Sequence, residues 1–221
     1  MSTSVSTPLT IGIPLDRIKQ EVIFRLRWSI LGSVEDIQIQ TGLRQDGTEE
    51  RLPFLSHPLA MEFLTDPPVK CVTISLADVR EAMHSYMAPD NYQYELQTIE
   101  NADGSPLTIK DFVMQLHSHF GQHKDLILFY RKTIGFNHHP PPPGAIIGPE
   151  SRISYYTAGK HDLFFKRAFA STFSDPLILN IYTFLEGEIA VSAEAFWKSQ
   201  RAHADRMASL RANTQGSQLL E

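Results

Sequence analysis

The sequence predicts a single α+β domain in which a mainly antiparallel sheet is packed on one face by helices at 76–87 and 108–120, with a further helix on the surface at the C-terminal end. Three observations lead there. Residues 92–99 place Tyr92, Tyr94, Leu96 and Thr98 in alternation with Gln93, Glu95 and Gln97, the period of a half-buried strand. A turn-forming cluster, Asn101, Asp103, Gly104, Ser105 and Pro106, then hands the chain to Thr108 and Asp111, spaced as a capping pair ahead of a helical apolar face. Apolar and aromatic runs stand at 163–169 and 177–184, set off by Gly159, Ser174, Asp175 and Pro176, and at least the second of them reads as a central strand of the sheet.

Length and composition bound the rest. A chain of 221 residues, 42% of them hydrophobic, can bury one substantial core, so 11–212 are expected to form one domain between disordered tails at 1–10 and 213–221. The formal charge of −5, with no stretch that concentrates Lys and Arg, argues against nucleic acid as a partner. Cys71 is the single cysteine and has no internal disulfide partner; its place inside the apolar run 69–74 predicts a buried small side chain in a reducing compartment. Residues 1–10 lack the basic start and apolar core of a secretory signal, and no apolar run is long enough to span a bilayer. The expectation is a cytoplasmic protein without membrane association.

Two patterns compete between 14 and 31: Leu15, Ile18, Val22 and Leu26 suit a helix, whereas Phe24, Leu26, Trp28 and Ile30 alternate as in a strand. The reading adopted is a short helix or turn near Pro14, a strand at 22–30, a hairpin partner at 34–43 and a polar loop at 44–51. Pro53, Pro58, Pro67 and Pro68 leave either a short helix at 58–64 or ordered coil. A strand at 69–74 follows. Ser75 and Asp78 repeat the capping spacing ahead of a helical face made by Leu76, Val79, Met83, Tyr86 and Met87. In the next helix the face is Ile109, Phe112, Val113, Leu116 and Phe120, and Gly121 is placed to end it in the left-handed conformation. Asp78 precedes His84 and Ser85 as Asp111 precedes His117 and Ser118, an echo of two capped helices rather than a repeat, since no fixed period contains both.

Residues 125–136 fit a buried strand or a short helix, and His138, His139 and the four prolines at 140–143 make 137–151 a stiff polyproline excursion. A strand-like run at 152–157 precedes the two already named. The segment 191–212, with Ser192 as cap and Phe196, Trp197, Met207 and Leu210 among charged residues, reads as the surface helix.

Candidate chemistry centres on the histidines. His119 and His123 have the spacing that puts two imidazoles on one helical face, as in zinc sites, but no acidic residue lies between them and Gly121 interrupts the helix, so no metal and no cofactor is expected. His117 and His119 are the candidates for an acid or base, and Tyr155, Tyr156 and Phe165, with Phe164, Phe169 and Phe173, for an aromatic ligand pocket. Arg25 and Arg27 share a strand face that could receive an anion. No nucleophile elbow, phosphate-binding glycine loop, dinucleotide fingerprint or paired-cysteine motif is present.

The strand at 94–99 (YELQTI), the turn at Asp103 and Gly104 and the helix start at 107–113 (LTIKDFV) together resemble the central motif of a family of fungal proteins, mainly basidiomycete, described as a domain of unknown function. The segment 66–69 (DPPV) with the strand at 72–74 is similar to that family's upstream part, while Arg152, Tyr155 and Tyr156 fit its downstream basic-aromatic motif only loosely. The resemblance implies a fold and brings no catalytic residue. The function expected is therefore a non-catalytic intracellular interaction or scaffold protein that binds another protein through an edge strand, the proline excursion or the terminal helix. The alternative is an enzyme or small-molecule binder with an aromatic pocket and a histidine acid or base; oligomeric state is not legible.

Overall fold

A computed structural model describes residues 17–84, 89, 91–138, 162–170, 177–186 and 191–218, the side chains of 132–138 and 214–218 excepted. The expected tail at 1–10, the proline run at 140–143, and the apolar run at 152–157 lie outside these residues. The fold is α+β. Strands β1 (Leu26–Arg27), β2 (Gln38–Leu43) and β3 (Glu49–Pro53) form one sheet, while β4 (Cys71–Leu76), β5 (Gln97–Glu100), β6 (Leu163–Ala170) and β7 (Ile178–Leu185) form a second in the order β5-β4-β7-β6. Ile30 N–H donates to the Leu163 carbonyl at 2.7 Å and Phe165 N–H to the Trp28 carbonyl at 3.0 Å, so the chain beyond β1 runs along β6 and the two sheets continue into each other. Every neighbouring pair is antiparallel except β4 and β7. The apolar run at 177–184 is central as predicted, lying between β4 and β6.

Helices α2 (Ala77–His84) and α3 (Ile109–His138) pack on the face carrying Val72, Ile74, Ile99, Leu179 and Ile181. The opposite face is met at one end by α4 (Ala193–Gln218), whose Phe196 and Trp197 close over Phe164 and Phe184; Phe184 and Phe196 stack with centroids 4.3 Å apart. Ser192 caps α4 as expected, its hydroxyl accepting from Ala195 N–H at 3.2 Å. That helix runs to Gln218, past 212, where a tail was expected.

Several expectations are corrected. In the contested region 14–31 the described chain makes a single helical turn, α1 (Gln20–Ile23), and then the two-residue β1, so the strand expected at 22–30 is reduced to Leu26–Arg27. The polar stretch 44–51 contains the start of β3, paired to β2 through a bulge at Gln40 and Gly42. Cys71 is half-buried, not buried, because it projects from the less covered face of β4. In α2 the inward residues are Val79 and Ala82, and Met83 is exposed.

The Thr108–Asp111 box forms as read: Thr108 N–H donates to Asp111 Oδ2 at 3.0 Å and Asp111 N–H to Thr108 Oγ1 at 3.1 Å. The same spacing at Ser75 and Asp78 does not cap. Asp78 turns inward to pair with the Arg131 guanidinium at 2.7 Å and accepts from the Thr183 hydroxyl at 2.7 Å, joining α2, α3 and β7.

Gly121 does not end α3. It sits on the wet side while the buried stripe of Ile109, Phe112, Val113, Leu116, His119 and Phe120 continues as Ile127 and Tyr130, and that burial outweighs a glycine cost of about 1 kcal/mol. The region 125–136 is the second half of this helix. A Cβ at Gly121 would meet nothing within 4 Å, so Gly121→Ala is expected to stabilise the protein by roughly 0.5–1 kcal/mol in urea unfolding.

Candidate functional site

The strand predicted over 92–99 is β5 alone, and the reason lies in one hydroxyl. Thr73 N–H donates to the Leu177 carbonyl on the β7 side, so the even-numbered residues of β4 present their backbone to β5. Gln97 and Ile99 therefore exchange bonds with Ile74 and Val72. The next β4 donor, Leu76 N–H, would be met by backbone of residue 95, but the Tyr94 hydroxyl accepts it instead. The ladder stops there, and the alternation slips: Tyr92 and Tyr94 are half-buried, whereas Leu96 and Thr98 face solvent and Ile99 is the inward residue.

It follows that Thr98 and Glu100 direct their N–H and C=O groups away from β4, at the edge of the sheet. Among the described residues no strand pairs with this edge. Glutamine side chains stand in for one: Gln97 Nε2 donates to the Thr98 carbonyl at 3.0 Å, and Gln115 Nε2, from α3, to the Glu100 carbonyl at 3.2 Å. Between β5 and α3 lies a groove of about 170 Å³ lined by Gln97, Gln115, Ser118, His119 and Gln122. The other edge, β3, ends in Pro53 and is tied down by Glu49, which pairs with Arg27 and Arg51 at 3.0 Å and Arg201 at 3.3 Å.

His119 and His123, four apart on the inward stripe of α3, meet with ring centroids 4.6 Å apart, and Tyr94 packs on both. His123 Nδ1 is hydrogen-bonded to the Tyr92 hydroxyl. Burial pushes the His123 imidazole below its ordinary pKa and raises the Tyr92 and Tyr94 hydroxyls. His119 is 5% exposed and neither ring nitrogen has a hydrogen-bond partner. Burial, reinforced by His123, brings its pKa down to about 4; Gln122 lies close enough to favour the charged ring but not in hydrogen-bonding geometry. Among the described residues no group of three or more His, Cys, Asp or Glu is placed to hold a metal.

A histidine buried in its neutral form stabilises the fold fully above its unfolded pKa near 6.5, and that contribution is lost as the pH falls toward 4. His119→Phe, which removes two buried unpartnered nitrogens, should lose less stability than the parent over this interval. Urea midpoints measured across that range check it, and parallel curves would count against it.

The remaining candidates are placed elsewhere. His117 accepts from the Trp28 indole N–H at Nδ1, 3.0 Å away, which leaves its proton on Nε2 when neutral, and burial lowers its pKa more than nearby Glu35 raises it. Phe165 is 2% exposed and stacks on Trp28 at 4.9 Å in the core rather than lining a pocket. Tyr155 and Tyr156 lie outside the described residues. Arg25 and Arg27 are paired with Asp205 and Glu49. Sequence reasoning missed the glutamines; the polar stripe Gln115, Ser118 and Gln122 bordering the apolar face of α3 was the signal available.

No helix among the described residues is long and apolar enough to cross a membrane. No family model, curated protein or solved structure matches this chain.

Proposed function

We propose that this is a non-catalytic interaction protein that takes an extended segment of another protein as an added strand on the outer edge of β5. One observation carries the reading: among the described residues the outward carbonyls of Thr98 and Glu100 are met only by glutamine side-chain amides, at an edge that opens onto a groove against α3. Main-chain pairing along such an edge supplies affinity, and the adjacent groove supplies selectivity. Exposed Glu95, Glu100 and Asp103 around the edge favour a basic segment over a second copy of this acidic edge. The groove lining contains no carboxylate to pair with His119, which weighs against the acid or base alternative.

The test is selection of displayed random peptides on the immobilised protein, repeated on Thr98→Pro. Thr98 N–H is outside the β4 ladder, so proline there leaves the sheet bonds in place while removing the donor an added strand needs. Selected peptides should bind the variant about tenfold or more weakly, with its unfolding transition unchanged. Equal binding would end the proposal. Should the proline disturb folding, Thr98→Lys, which blunts the edge without touching its backbone, serves the same comparison.

A further inference from the structure

Resting on the strand-addition reading, the geometry points to a specificity site: the groove between β5 and α3 selects a carboxamide side chain, asparagine or glutamine, on the added segment. The lining is Gln97, Gln115, Ser118, His119 and Gln122, five polar groups with no formal charge among the ordinary forms they hold near neutral pH. Such a set offers donors and acceptors together. A carboxylate entering it would find no cation among the lining residues, an ammonium no anion, and an aliphatic side chain would strip water from amides and a hydroxyl without replacing their hydrogen bonds. A carboxamide carries both a donor pair and an acceptor and matches the lining in kind.

His119 provides the independent observation. It is one of the groove's lining residues, more than nine-tenths buried, and both ring nitrogens lie beneath the surface without a partner, a situation that native structures resolve by water or ligand. Its depressed pKa, about 4, keeps the ring neutral near pH 7, so that the groove wall carries no charge there. Gln97 and Gln115 connect groove and edge directly, since the same two side chains line the one and hold the carbonyls of the other. A strand that displaces those amides from Thr98 and Glu100 releases them to the side chain entering the groove. Selectivity in such a site comes from the buried polar groups that a wrong side chain leaves unpaired.

The experiment uses the full chain and a displayed library of random peptides, selected in parallel on the parent and on Gln122→Glu. Peptides enriched on the parent should share one asparagine or glutamine; those enriched on Gln122→Glu should carry lysine or arginine there, because a carboxylate in the lining asks for a cation. Ser118→Asp gives the same exchange from the other side of the groove if Gln122→Glu folds poorly. A shared charged or apolar residue on the parent, or a carboxamide preference indifferent to both variants, would overturn the inference while leaving strand addition standing, provided Thr98→Pro still weakens binding. Absence of any peptide dependent on Thr98 overturns both.

Discussion

Replacing Asp78 by alanine should cost about 3–5 kcal/mol, the largest effect expected of any charged residue described in the fold. Its carboxylate side chain is 3% exposed and its partner Arg131 13%, and the pair is joined by the Thr183 hydroxyl and by the Thr183 carbonyl, which accepts from Arg131 at 2.7 Å. Removing the acid takes a counter-charge from a guanidinium that water reaches poorly. The penalty for that exceeds the value of the pair itself, so Asp78→Ala with Arg131→Met should recover part of the loss. Urea unfolding of the two single variants and the double variant gives the comparison. Single losses below about 1 kcal/mol would place this pair with exposed ion pairs, whose contribution is of that size.

Trp28→Ala should cost a similar amount, about 3–5 kcal/mol, and lower the thermal midpoint by on the order of ten degrees. Trp28 is fully buried where β1 joins β6; it stacks on Phe165, meets Phe120 edge-on at 5.8 Å and donates to His117. Trp28→Phe separates the two components: it keeps most of the packing and removes the N–H, so its smaller loss measures the bond to His117. Calorimetry on both variants checks the order, and equal losses would show that the hydrogen bond dominates the packing.

What was legible in the sequence was whatever depends on neighbours in the chain. The Thr108–Asp111 box, the Ser192 cap and the inward face of Phe112, Val113 and Leu116 are each complete within a turn or two of helix, and each stands as read. Ser75 and Asp78 show the limit of the same logic. Their spacing is that of a capping pair, but Arg131 and Thr183, both remote in sequence, offer Asp78 a stronger partner. Gly121 fails likewise, since its signal to stop is local and the burial of Ile127 and Tyr130 that overrides it is tertiary. The site divides along the same line. The i, i+4 pairing of His119 and His123 was readable, and they do share a face; the role of Gln97 and Gln115 was not, because a side chain that replaces a missing strand is recognisable only once the sheet has an edge. The parallel register of β4 and β7 was unreadable for the same reason.

The exposed edge of β5 can be examined one amide at a time by hydrogen exchange, in the free protein and saturated with a selected peptide. In the free protein the Ile99 amide, paired across to Val72, should exchange slowly and the Thr98 amide quickly; on saturation Thr98 should slow markedly while Ile99 changes little. Slow exchange at Thr98 without peptide, or fast exchange there with it, would mean that no strand is added at this edge.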